Sequence, residues 1–177
     1  MTTWDVATTC SDLPINKVID TGTDPDIVDF FLGFGGFGNF FLADITNAGW
    51  LPRGFFDALT PGGGDFILAV TFTFAFGTDV NGDGFLDTAF KELYYNNNFT
   101  WGIDANFDIE SVALHENGHS LEQAHFGMIF GTIPNLRIHF APRTVMNAAY
   151  SGIQQDLTDS DLAGHSTLFG SWPEGTN

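Results

Sequence analysis

Apolar positions along this chain follow two rhythms, each predicting a different kind of element. Residues 66–76 are almost continuously apolar and alternate in part around Thr71 and Thr73, which reads as a buried strand. The run is too short to span a bilayer. Residues 13–20 read as a first strand, and Thr88 to Tyr95 as a further one, followed by a loop over Asn96–Trp101. Helical spacing starts at Asp108, a plausible N-cap, and continues through Ile109, Val112, Ala113 and Leu114, predicting a helix over about 109–121. Residues 43–59 read as a helix whose apolar stripe breaks near Gly49 and Pro52, with Pro61-Gly62-Gly63-Gly64 ending it. Residues 126–142 read as a loop with a strand at Leu136–Phe140. Thr158-Asp159-Ser160-Asp161 is a capping-box start for a helix running to about Phe169. In residues 29–42 glycine and phenylalanine alternate irregularly: either a loop folded onto the core, the preferred reading because aromatics bury, or an adhesive lip.

Composition narrows the classes. The 177 residues suffice for one domain with a real core, and 44% hydrophobic content excludes general disorder. A net charge of −17, with only five Lys+Arg, excludes a nucleic-acid partner and predicts repulsion from an anionic membrane, so no membrane partner is expected. Single Cys10 rules out an internal disulfide and any multi-cysteine metal site. It is read as a buried or unpaired thiol, as half of an intermolecular bridge, or as a latency ligand. Residues 1–5 show no basic and apolar signal pattern, so either a signal has been removed or the chain is cytosolic.

Chemistry concentrates at His115-Glu116-Asn117-Gly118-His119. On a helix, positions i and i+4 share a face, so His115 and His119 present two imidazoles to one metal ion. Glu116 stands beside them as a general base, and His125 follows as a third nitrogen ligand. Three neutral ligands with an open fourth position form the catalytic rather than the structural zinc pattern. A second constellation lies at Asp79-Val80-Asn81-Gly82-Asp83-Gly84-Phe85-Leu86-Asp87. Oxygen donors at Asp79, Asn81, Asp83 and Asp87 match much of a calcium loop, but Phe90 stands where an EF-hand has glutamate. Glu92 or Asp87 could complete such a site; the other reading is an Asx-rich turn without an ion.

With Arg143-Thr144-Val145-Met146 and Tyr150, the histidine motif resembles the metzincin zinc endopeptidases, most closely the matrixin branch. The resemblance covers residues of about 66–170 well and the first 60 poorly. It implies His115, His119 and His125 as zinc ligands, Glu116 as general base, Met146 as the Met-turn and Tyr150 on the S1′ wall. It also implies an α+β fold with a mixed, mostly parallel twisted sheet, an active-site helix and a C-terminal helix. A cleft is expected between an N-terminal subdomain (1–125) and a C-terminal one (126–177). The implied protein is a secreted, calcium-stabilised, monomeric endopeptidase acting on extended protein or peptide substrates. Asp161 matches the aspartate that holds a matured N-terminus in that family. A second, structural zinc is not expected, because all five histidines lie at 115 or later.

Two positions depart from the pattern. Glu122 stands where the family has a glycine whose left-handed backbone swings the third histidine to the metal. Either glutamate adopts that conformation at a cost of about 1–2 kcal/mol, or the turn fails and His125 points away. In the first case metal binding is weaker or activity lower, so the departure leaves as the alternative a zinc-binding protein that is inactive or weakly active. Phe126 replaces the family's small hydroxyl residue. His139 and His165 are read as structural, and Arg137 and Arg143 as partners of carboxylates. Asn98-Phe99-Thr100 fits a glycosylation acceptor in a eukaryotic secretory pathway.

Overall fold

The computed structural model describes residues 2–5, 26–36, 43–80, 82, 84, 86–133 and 137–169. In chain order its elements are α1 (Thr2–Asp5), α2 (Val28–Leu32), β1 (Ala43–Leu51), α3 (Arg53–Leu59), a 3-10 turn (Gly63–Asp65), β2 (Ala69–Ala75), β3 (Thr88–Asn96), β4 (Trp101–Gly102), β5 (Phe107–Asp108), α4 (Ile109–Ser120), β6 (Met128–Thr132), β7 (Arg137–Ala141) and α5 (Asp159–Phe169). The protein is therefore mixed α+β, in two compact units: 18–100, and 1–17 with 101–177. No helix among the described residues is long and apolar enough to cross a membrane.

The 18–100 unit is built on a three-stranded sheet in the order β1-β3-β2, with β1 parallel and β2 antiparallel to β3. β3 is the central strand, so Phe90, Leu93 and Tyr94 are buried together with the polar Lys91, Glu92 and Asn96. Buried polar groups need partners. Asn96 Nδ2 donates to the Gly64 and Ile67 carbonyls at 3.1 and 2.8 Å. Glu92 accepts from the Ile27 and Val28 amides at 2.6 and 3.0 Å, which ties its carboxylate to the start of α2. Burial holds the Glu92 carboxyl above its usual range, against those hydrogen bonds. Leu51, Phe55, Phe56 and Tyr94 form the core, with Phe34 edge-on to Phe55 at 5.5 Å.

Three expectations are corrected here. Residues 43–51 form a strand, not the first half of a helix; only Arg53–Leu59 is helical. Pairing beside β3 overrides the local pattern, and extended Pro52 marks the switch into α3. β2 starts at Ala69 and lies at the sheet's edge, so its residues are only partly covered, and Phe66 before it is exposed. The Phe/Gly-rich segment splits: Phe34 joins the core, whereas Phe30, Phe31 and Leu32 are exposed. Residues 37–42, the expected first strand at 13–20 and Cys10 lie outside the described residues.

The other unit carries α4 and α5. Trp4, Leu114, Val145 and Met146 form its core, with Leu121, Phe126 and Leu157 packed around them. Trp4 Nε1 donates to the Leu114 carbonyl at 2.9 Å, tying α1 to α4. Residues 126–142, expected mainly as loop, contain the antiparallel hairpin β6–β7.

Candidate metal centre

Helix α4 starts where the sequence predicts. Asp108 is its N-cap: Oδ1 accepts from the Ser111 amide at 2.7 Å and the Ser111 hydroxyl at 2.6 Å, while Oδ2 accepts from the Asp104 amide at 2.7 Å. Burial opposes ionisation of Asp108, but these hydrogen bonds outweigh it and hold its carboxyl below the usual range. The Asp108 amide donates to the Tyr150 hydroxyl at 3.0 Å, so the ring expected on the S1′ wall is anchored to the start of the helix.

The helix ends in a Schellman motif. The Glu122 amide donates to the His119 carbonyl at 3.1 Å and the Gln123 amide to the Gly118 carbonyl at 2.9 Å. Glu122 has φ 63, the left-handed region that the family glycine occupies. The turn forms with glutamate in it, and the chain returns His125 to the helix.

His115, His119 and His125 converge. Their Nε2 atoms form a near-equilateral triangle with sides of 3.1, 3.0 and 3.1 Å. His115 Nδ1 lies 2.6 Å from the Val145 carbonyl and His119 Nδ1 lies 2.7 Å from the Gln123 carbonyl. A carbonyl only accepts, so both Nδ1 atoms carry the proton and both Nε2 lone pairs face the triangle's centre. Three nitrogens on a tetrahedral zinc at about 2.0–2.1 Å stand about 3.3–3.4 Å apart. The triangle is about 0.2–0.4 Å tighter than that spacing, and the donor set fits one ion. The three side chains together could hold a metal. Burial, with help from the charges of the other two rings, lowers the His115 pKa to about 4 despite the Val145 carbonyl. Burial lowers His125 as well. Both rings are thus neutral at pH 7, the form that binds metal. His115 and His119 are half-buried and His125 is exposed, which leaves one side of the triangle open. Glu116 is buried on the same helix.

Met146 is fully buried beneath α4, where a Cβ on Gly118 would stand 2.3 Å from the methionine sulfur. Its turn is held by Asp161, which accepts from the Thr144 hydroxyl, from the Val145 and Met146 amides at 3.1 Å each, and from the Thr158 amide and hydroxyl at 2.9 and 2.7 Å. These bonds outweigh burial and keep the Asp161 carboxyl below its usual range. Asp161 is thereby both the capping-box acid of α5 and the clamp on the turn carrying the Val145 carbonyl.

Sequence reasoning missed several supporting groups. Asn147 Nδ2 bridges the Phe126 and Pro142 carbonyls at 3.0 and 3.1 Å, fixing the residue after His125. The Gln123 carbonyl orients His119, and Trp4 lies under Gly118. Only Asp161 carried a sequence signal, its capping box; backbone carbonyls and a tryptophan over a hundred residues upstream carry none. Arg143 corrects an expectation: it donates to the Ser151 hydroxyl and to the Ser151 and Ile153 carbonyls rather than to a carboxylate. His165 is buried against Trp4, with ring centroids 5.5 Å apart. His139 stacks on Phe130.

In the loop expected to bind calcium, Asp79 accepts from the Gly82 and Gly84 amides at 2.6 and 2.8 Å, and Asp87 from Val80 at 2.6 Å. Asn81 and Asp83 lie outside the described residues. Asn98 Nδ2, the atom a glycan would modify, donates to the Gly64 carbonyl at 3.0 Å.

No family model matches the chain, and no curated protein or solved structure is detectably similar to it.

Proposed function

We propose that the protein is a zinc-dependent endopeptidase of metzincin type, close to the matrixins, that cleaves extended protein or peptide substrates outside the cell. The observation that carries this reading is the triangle of Nε2 atoms at 3.0–3.1 Å, two of them oriented by backbone carbonyls, with Glu116 next in sequence to the first ligand. His115, His119 and His125 would hold the zinc, which would supply Lewis-acid polarisation of the scissile carbonyl and acidify a water molecule. Glu116 would act as general base on the attacking water and return the proton to the leaving amine. His115 and His119 keep their Nδ1 protons, donated to the Val145 and Gln123 carbonyls, so their Nε2 lone pairs stay available to a metal. Tyr150, anchored at Asp108, supports one wall of the substrate site. Calcium in the 79–87 loop belongs to the same reading.

The alternative, a zinc-binding protein that is inactive or weakly active because Glu122 replaces the glycine, is decided by the same experiment; φ 63 at Glu122 speaks against failure of the turn and not against lowered activity. The test is elemental analysis for zinc and calcium together with cleavage of an unstructured protein such as casein. About one zinc per chain is expected, with cleavage lost in Glu116→Ala while zinc is retained. Zinc without cleavage in the unaltered protein overturns the enzyme, and cleavage surviving Glu116→Ala overturns the role of Glu116.

A further inference from the structure

The hairpin β6–β7 exposes an unusual number of large apolar side chains. Met128, Ile129, Phe130, Ile133 and Ile138 are 69%, 46%, 47%, 91% and 68% exposed. The register sets Met128 and Phe130 on one face of the ribbon, opposite Ala141 and His139, and Ile129 on the other with Ile138 diagonal to it. Both faces are therefore apolar and, among the described residues, uncovered, and so is Ile133 just past the end of β6. A protein partner covers one face of a ribbon; a medium that surrounds it covers both. Exposed apolar surface on this scale marks an interaction site rather than ordinary surface.

Charge selects the medium. The chain carries −17 overall, yet no Asp or Glu occurs between Glu122 and Asp156, and two of the five Lys+Arg, Arg137 and Arg143, fall in that interval. The hairpin is thus a part of an acidic protein that can approach phosphate-bearing headgroups without repulsion. The net charge still disfavours a surface that is itself strongly anionic. The expectation of no membrane partner followed from the total charge, which does not describe this segment.

We infer that the β6–β7 hairpin is a docking element for a zwitterionic phospholipid surface, seating Ile133, Ile138 and their neighbours among the headgroups. Two strands leave open backbone edges that hydrocarbon would not satisfy, so the hairpin lies in the interfacial zone and does not span the bilayer.

The test is co-sedimentation of the full chain with phosphatidylcholine vesicles. The unaltered protein should pellet with them, and the double variant Ile133→Glu/Ile138→Glu should partition at least tenfold less. Both positions are exposed, so the variant should keep its circular dichroism and its metal content. Adding phosphatidylserine should weaken binding. Ile133→Trp should show a blue-shifted emission increment on vesicles. An unaltered protein that stays in the supernatant, a double variant that pellets equally, or stronger binding to phosphatidylserine overturns the inference. So does self-association without lipid that the double variant abolishes, since that assigns the surface to a second copy.

Discussion

Position 122 offers a measurement in which the usual order of residue stabilities should reverse. Glu122 sits at φ 63 and closes the Schellman motif that ends the helix bearing His115 and His119. For a residue with a Cβ, that conformation costs about 1–2 kcal/mol relative to glycine. Glycine in turn costs about 0.4–1 kcal/mol through the larger entropy of the unfolded chain. Comparing Glu122→Ala with Glu122→Gly removes the carboxylate from both variants and leaves only these two effects. The difference is roughly 0.8 kcal/mol in favour of glycine, worth about 2–3 °C in Tm for a chain of this size. Thermal unfolding of the metal-free proteins measures it. Metal titration against a chromophoric chelator supplies the second readout: because the native turn already has the glycine conformation, zinc affinity and peptidase activity of Glu122→Gly should stay within a few-fold of the unaltered protein. An alanine variant as stable as the glycine one refutes the left-handed turn. A tenfold gain in zinc affinity or activity on Glu122→Gly shows that the turn forms only partly with glutamate in place.

Gly118→Ala should destabilise by about 1 kcal/mol, because overpacking of about 1–3 kcal/mol against Met146 and Trp4 exceeds the helix propensity gained. The cost should shrink in a Met146→Ala background, read as a double-mutant cycle in urea unfolding. Asp161→Asn should cost roughly 2 kcal/mol or more near neutral pH, since it withdraws charge from buried donors. The folded pKa of Asp161 is depressed, so its contribution is complete above the unfolded value near 4 and is lost as pH falls through the folded value. The gap between Asp161→Asn and the unaltered protein, followed by urea unfolding from pH 7 to pH 3, should therefore narrow only below about pH 4. A gap that narrows between pH 7 and 5 contradicts this. His125→Ala should abolish the rise in Tm that added zinc gives the unaltered protein, a stabilisation of about 4 kcal/mol at a thousandfold excess over Kd.

The candidate ligands were legible in the sequence because helix geometry alone places His115 and His119 on one face, and because Asp108 and the Thr158–Asp161 box are local signals read by neighbouring amides. Position 122 was legible as a problem but not as an outcome: a left-handed glutamate is permitted by local energetics, and the hydrogen bonds around it decide that it occurs. The reading failed at 43–51, where a segment with helical spacing is a strand, because pairing with the buried strand β3 (Thr88–Asn96), far along the sequence, outweighs local preference. Residues 126–142 were under-read for the same reason. A hairpin that exposes apolar residues on both faces has no alternation for a periodicity argument to find.

What orients the metal centre explains why half of it was invisible. The partners of His115 and His119 are carbonyls, which every residue has, so side-chain identity at 145 and 123 signals nothing. Their positions are set one step further out. Asp161 grips the amides of Val145 and Met146, and the left-handed turn at Glu122 aims the Gln123 carbonyl. The two supports act on different ligands through different segments, so their loss should be separable. Asp161→Asn should loosen His115 while leaving the turn beyond His119 intact, and a β-branched Glu122→Val should do the reverse. Imidazole resonances in the metal-free protein distinguish these cases, because a ring that loses its carbonyl samples both neutral tautomers. Tautomer exchange at both rings in either single variant would mean that the triangle behaves as one rigid body instead.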